Sequence, residues 1–235
     1  MRIPVLLYHK ISEPRLDTRI RGAFTAPPRF RKQMSYLKSQ GFVFYTASDL
    51  IKHFEERGEF PKRGVALTFD DGWKDNYTNA FPVLKEFGIK ATIFIIPSSI
   101  GQMSSGATAD GEKPHAHLSQ DEILEMSREG IEFGSHTMTH KLLNKIPESE
   151  VTAEIEEAKR EIENLVQKPC WTFAYPAGFL SDTAQRVVAQ AGHIGAFSTV
   201  YGPEDRVDLF ALNRIEVLRR VRFTFQFARK VAPLR

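Results

Sequence analysis

Short apolar runs alternate along this chain with longer stretches whose apolar residues recur every three to four positions, and this alternation constrains the fold more than any other feature. Runs at 3–8, 65–69, 91–96, 131–133, 171–174, 194–198 and 211–215 read as buried strands. Helical periodicity covers 28–39, 47–56, 76–87, 120–127, 149–166 and 182–190, the last opened by Ser181 as an N-cap. Strand, helix and strand in succession predict a parallel sheet with helices outside, because a parallel connection needs a crossover long enough to hold a helix. A chain of 235 residues with 42% hydrophobic content can bury one sizeable core, so a single α/β domain over residues 1–235 is expected.

Two of the strand-like runs end in residues that carry chemistry. Val65-Ala66-Leu67-Thr68-Phe69 leads into Asp70-Asp71-Gly72, two adjacent carboxylates with a glycine behind them. Neighbours on an extended strand point to opposite sides, and a turn at Gly72 can swing both carboxylates toward one pocket. With a cation on one, the other keeps a separate proton-transfer role. Gly130-Ile131-Glu132-Phe133-Gly134 leads into Ser135-His136-Thr137-Met138-Thr139-His140. Histidines at i and i+4 on a helical turn share a face and can reach one ion. One carboxylate then completes a two-histidine, one-carboxylate set with positions left for water and substrate. Asp71, His136 and His140 are assigned to that set. Each piece alone is common on surfaces and in turns; together, directly after buried strands where α/β folds build their sites, they point to a metal centre.

These residues resemble the polysaccharide deacetylases of the NodB-homology type, carbohydrate esterase family 4. TFDDG at 68–72 looks like the first motif of that family, SHTMTH at 135–140 like the second, and FAYPAG at 173–178 like the third. The third has the form found in the branch that deacetylates poly-β-1,6-N-acetylglucosamine. The likeness runs from about Leu6 to about Val217. It implies an irregular (β/α) barrel of about seven parallel strands and metal-dependent hydrolysis of N-acetyl groups from an N-acetylglucosamine-containing polysaccharide or oligosaccharide. The implied cofactor is a divalent metal, zinc first, with cobalt or nickel as alternatives. Asp70 is then the base that takes the proton of water, and the backbone N–H of Ala177 helps stabilise the oxyanion.

Two departures from the commoner family pattern matter. The arginine that braces the base in the third motif is replaced by Ala174, and Arg214 is the best substitute, a surface charge being the alternative reading. The late catalytic histidine is also absent, since no histidine follows His193. Within the poly-N-acetylglucosamine branch the implied replacement comes from the other end of the chain, here Tyr8-His9-Lys10-Ile11. His9 is therefore the expected general acid, a role that suits a side chain titrating near neutral pH. Trp73, Tyr175, Tyr8 and Phe179 are candidates for stacking on sugar faces, with core packing as the competing account of each.

The remaining features bound the function. A net charge of +3 is too mild to argue for nucleic acid. Arg219-Arg220-Val221-Arg222 and Arg229-Lys230 read as a solvated terminal helix, or as an envelope-surface or anionic-polymer contact, because Phe223, Phe225 and Phe227 interleave with them. Cys170 is the one cysteine, so no intrachain disulfide forms, and a buried structural thiol is expected. Met1-Arg2-Ile3-Pro4 runs straight into the first strand without a signal peptide: a cytoplasmic protein if Met1 is the natural start, an envelope or secreted one if a targeting segment was removed. No apolar stretch approaches the roughly 20 residues that span a bilayer. Residues 97–118, rich in glycine and serine, read as a lid or substrate-contact loop with His115 and His117 exposed on it. His53 and His193 read as structural or surface residues. Other readings are a deacetylase or deformylase of a small or lipid-linked sugar, a degenerate sugar-binding module, and a phosphate hydrolase, the last disfavoured because one metal set is visible.

Overall fold

At the centre lies β3 (Gly64–Phe69), buried along its whole length. In the computed structural model, which describes residues 4–14, 18, 23–104, 114–199, 206–221 and 223–232, this strand pairs in parallel with β1 (Val5–Tyr8) and with β4 (Thr92–Ile95). Beyond β4 come β5 (Glu132–Ser135), β6 (Thr172–Ala174) and β7 (Gly195–Phe197), and beyond β1 lies β8 (Ile215–Glu216). The order β7-β6-β5-β4-β3-β1-β8 makes a path of seven parallel strands. Its two edges are linked, since Phe197 of β7 bridges Leu212, three residues before β8, and the Leu212 N–H donates to the Ala196 carbonyl. The sheet curves into the irregular (β/α) barrel that the family resemblance implies, with the parallel strands that the strand and helix alternation predicts.

The helices are α1 (Pro27–Ser39), α2 (Ala47–Arg57), α3 (Phe81–Phe87), α4 (Gln120–Arg128), α5 (Glu148–Val166), α6 (Asp182–Gln190) and α7 (Thr224–Val231). Ser181 caps α6 by accepting the Ala184 N–H, as its position implies. Strand alternation sorts the core. Leu67 and Phe69 of β3 point outward and pack with Phe30, Met34 and Leu37 of α1 and Phe227 of α7. Ala66 points inward to a smaller cluster with Val5, Phe94, Phe197 and Leu212. Each fully buried side chain of this size contributes about 1.5–3 kcal/mol.

Four sequence expectations are corrected. A three-residue strand, β2 (Val43–Tyr45), pairs with the start of β3; its apolar run is short and only partly buried, so the sequence pattern does not mark it as a strand. The run at 211–215 makes a single bridge at Leu212 and a strand only at Ile215–Glu216. The helix expected over 76–87 opens with a wide turn, Asn76–Ala80, before α3 begins. The terminal helix is not wholly solvated, because Phe227 and Val231 are buried. Ile3 and residues 105–113 lie outside the described residues.

Candidate active site

Five strand ends converge at one mouth of the barrel: His9 follows β1, Asp70 and Asp71 follow β3, residues 136–140 follow β5, the 175–178 turn follows β6, and Ser198 follows β7. The alternation that sends Leu67 and Phe69 outward sends Thr68 and Asp70 into the barrel, where Arg214 is buried. Arg214 Nη1 donates to Asp70 Oδ1 at 2.7 Å and Nη2 to Oδ2 at 2.6 Å, a bidentate pair. Its Nε donates to the Ser198 carbonyl at 3.0 Å, and its guanidinium lies against the Phe94 and Phe197 rings. Burial drives the Asp70 carboxyl upward, yet the Arg214 charge, with His136 and His9 behind it, prevails and holds Asp70 below the ordinary carboxylate value. The arrangement keeps an ionised proton acceptor in a dry setting.

Asp71 turns away from its neighbour through a left-handed φ of +73°, and Gly72 continues the turn at +63°. A Cβ on Gly72 would come within 2.9 Å of Ile95 Cγ2, so only glycine fits. Asp71 Oδ1 faces His136 Nε2 at 3.4 Å and His140 Nε2 at 3.5 Å. Asp71, His136 and His140 each offer one ligand atom, and these lie within 4.8 Å of one another. His136 Nδ1 is 2.7 Å from the Ala174 carbonyl oxygen, and a carbonyl can only accept. Nδ1 therefore donates to the carbonyl and Nε2 faces the Asp71 side, the orientation a metal-binding imidazole needs. Burial opposes ionisation of Asp71 as well, but hydrogen bonds to His136 and His140 and the charge of His9 hold it well below the ordinary value. The donor set, two imidazoles and a carboxylate, fits a zinc-type ion.

The two histidines meet differently from the expected helical turn. Residues 136–140 form an irregular loop in which Thr137 (φ +65°) and His140 (φ +63°) are left-handed, with the rings 4.9 Å apart. Such conformations cost on the order of 1–3 kcal/mol each and need support from their surroundings. Glu154 of α5 supplies it: its carboxylate accepts from the Thr139 N–H at 2.8 Å and Thr139 Oγ1 at 2.5 Å, and its carbonyl accepts from Met138 N–H. Sequence reasoning missed Glu154, although an acid on the apolar face of α5, between Val151, Ile155 and Ala158, was the available signal.

Trp73 is tied to the proposed ligand set. Its Nε1 donates to Asp71 Oδ2 at 2.8 Å, its ring stacks on His117 at 4.2 Å, and the Lys10 ammonium sits 4.0 Å from the ring centroid. His117 is buried rather than exposed, and its Nδ1 donates to the Asp71 carbonyl at 2.9 Å. Within the described part of the 97–118 segment, Met103 bridges Ala116 and His117 bridges Trp73, so these residues are docked against the site. Tyr175 is corrected as a sugar-stacking residue: it is fully buried and its hydroxyl donates to the Phe210 carbonyl. Tyr8 is likewise buried and bonded to Gln33. Phe179 is exposed. Ala177 sits in a left-handed turn (φ +53°) at the end of β6. His9 is half-buried, its carbonyl held by Asn76 Nδ2 at 2.8 Å, and its charge reaches both Asp70 and Asp71.

Comparison with known proteins decides the family. The sequence profile of the polysaccharide deacetylase family matches residues 57–195. The chain belongs to this family. As a polysaccharide deacetylase family member it is 28% identical over 218 residues to the Bacillus subtilis protein YxkH, provisionally assigned to the same family, covering 92% of this chain and 71% of that one. It is 30% identical over 190 residues to a Staphylococcus aureus poly-β-1,6-N-acetyl-D-glucosamine N-deacetylase, covering 76% of this chain but 62% of the relative. Among solved structures, the Streptococcus pyogenes deacetylase PplD in complex with acetate superposes with a TM-score of 0.79 at 27% identity, covering 93% of each chain. IcaB from Ammonifex degensii shares the fold, with a TM-score of 0.75 at 23% identity over 92% of each chain.

Proposed function

We propose that this protein is a metal-dependent carbohydrate N-deacetylase that removes acetyl groups from an N-acetylglucosamine-containing glycan. The observation that carries this reading is the pairing of two adjacent carboxylates in different settings. Asp70 is clamped by Arg214, and Asp71 is grouped with His136 and His140. The likeness to a poly-β-1,6-N-acetyl-D-glucosamine N-deacetylase supports the substrate class.

Asp71, His136 and His140 would hold a divalent ion, zinc by its preference for imidazole and carboxylate donors. When bound, such an ion polarises the acetyl carbonyl and lowers the pKa of water. The chain's own groups do the rest. Asp70, ionised and oriented by Arg214, accepts the proton of the attacking water. The Ala177 N–H, presented by its left-handed turn, donates to the oxyanion. His9, just past the end of β1, gives a proton to the departing amine, leaving free amino sugar and acetate. Trp73 and His117 keep Asp71 in place through its second oxygen and its carbonyl.

The test is acetate release from β-1,4- and β-1,6-linked N-acetylglucosamine oligomers, with chelated enzyme and with zinc, cobalt or nickel restored. Release that stops on chelation and returns with metal is expected, and the preferred linkage assigns the polymer. Release unaffected by chelation, or none on any oligomer with metal demonstrably bound, overturns the reading in favour of a different substrate or mechanism.

A further inference from the structure

The segment that follows β8 carries an exposed surface that the catalytic reading leaves unused. Residues 218–235 hold Arg219, Arg220, Arg222, Arg229, Lys230 and Arg235 and no aspartate or glutamate. Those six charges exceed the net +3 of the whole chain, so the remainder is net negative and the positive charge is concentrated in this segment. Phe223 and Phe225 are 59% and 61% exposed, and their rings stack 5.6 Å apart at 10°. Helix α7 keeps its place through its other residues: Phe227 and Val231 are buried, and Phe227 meets Tyr36 of α1 edge-on. The two exposed phenylalanines are therefore not needed to seat the helix.

The position of this surface is set by the strands. β8 runs parallel to β1, and the Val217 N–H donates to the Leu7 carbonyl, so the chain leaves β8 at the same mouth of the barrel as His9. Thr25 Oγ1 donates to the Val217 carbonyl and Arg29 Nη1 to the Arg219 carbonyl, tying this exit to the start of α1.

We propose that Phe223 and Phe225, with Arg219 and Arg220, form a docking surface for an anionic phospholipid bilayer. Stacked phenyl rings gain nothing from a hydrated polyanion, but they gain from entering the boundary between headgroups and acyl chains, while arginine meets the negative surface charge. Protein bound in this way lies with the catalytic mouth near the membrane surface. The inference is independent of the reaction assigned to that mouth.

The experiment is co-sedimentation of the full chain with phosphatidylcholine vesicles, with and without phosphatidylglycerol as about a third of the lipid. Wild-type protein partitions onto the anionic vesicles and releases with added salt. F223S/F225S lowers the partition coefficient by about tenfold or more, and R219Q/R220Q lowers it by about fivefold per charge. Serine is a favoured helix N-cap, so Phe223→Ser keeps α7, and an unchanged circular-dichroism melt checks this. Acetate release from soluble oligomers by F223S/F225S stays at the wild-type rate. Failure of the wild type to bind anionic vesicles overturns the proposal. So does F223S/F225S binding equal to wild type, because retained, salt-sensitive binding describes a polyanion contact in place of a bilayer.

Discussion

The two ends of the barrel both bury ionisable groups, and they treat them in opposite ways. At the catalytic mouth, counter-charges overrule burial: Arg214 keeps Asp70 ionised, and His136 and His140 keep Asp71 so. At the other end, burial wins. Glu132, at the start of β5, is pushed up by burial although Ser48 Oγ and Thr172 Oγ1 both donate to its carboxylate. Cys170, just before β6, is pushed up by burial to about 12, and His193, just before β7, is pushed down to about 3. Groups at the mouth are held charged, at a cost in desolvation. At the base Cys170 and His193 are held neutral and Glu132 is biased the same way, as suits a purely structural role.

The largest effects should come from disturbing charge at the mouth. Asp70→Asn removes the proton acceptor while sparing the three proposed ligands, so acetate release should fall on the order of 10²–10⁴-fold with bound metal retained. Full activity with metal in place would exclude Asp70 as the base. Arg214→Leu should cost about 3–5 kcal/mol in chemical denaturation, because it strands a buried carboxylate. If the loss disappears in the Arg214→Leu, Asp70→Asn double variant, the pair is the cause.

How legible these features were in the chain depended on distance along it. Asp71, His136 and His140 could be read as a set because each sits within a few residues of a recognisable strand, and strand periodicity says where its end lies. Arg214 could be named only as one of two readings, since its partner is 144 positions away and nothing local separates a buried arginine from a surface one. Tyr175 was misread for the same reason: an aromatic beside a motif shows its chemistry but not which neighbour covers its ring.

Trp73→Phe probes the next tier. It keeps an aromatic ring and removes the bond to Asp71 Oδ2, so metal affinity, measured by competition with a chelator, should weaken about 10–100-fold. Unchanged affinity would reduce Trp73 to packing.

Two smaller effects test the base. His193 is neutral when folded but binds a proton near pH 6.5 when unfolded. Between about pH 3 and 6.5 the unfolded state thus holds more protons, and stability falls as pH drops, by up to about 1.4 kcal/mol per pH unit from this group. Denaturation midpoints against pH should show a shallower acid slope in His193→Leu; an identical slope would mean that the histidine is not held neutral. Glu132→Gln should change stability by only about 1 kcal/mol at neutral pH, because the amide oxygen can still accept a hydrogen bond from Ser48 or Thr172 and burial no longer opposes a charge there. A loss comparable to that of Arg214→Leu would erase the contrast between the two ends.

By itself the sequence determined the layered α/β architecture, the strand ends that carry function and the residue types gathered there, because periodicity of two and of three to four residues is a local property that needs no partner. Tertiary structure alone decided which distant groups meet. It closed the sheet through Leu212, seated Arg214 on Asp70, braced the histidine loop with Glu154 and spent Trp73 on Asp71. These pairings follow from chain closure and the competition for buried hydrogen bonds, which are properties of the whole packed barrel.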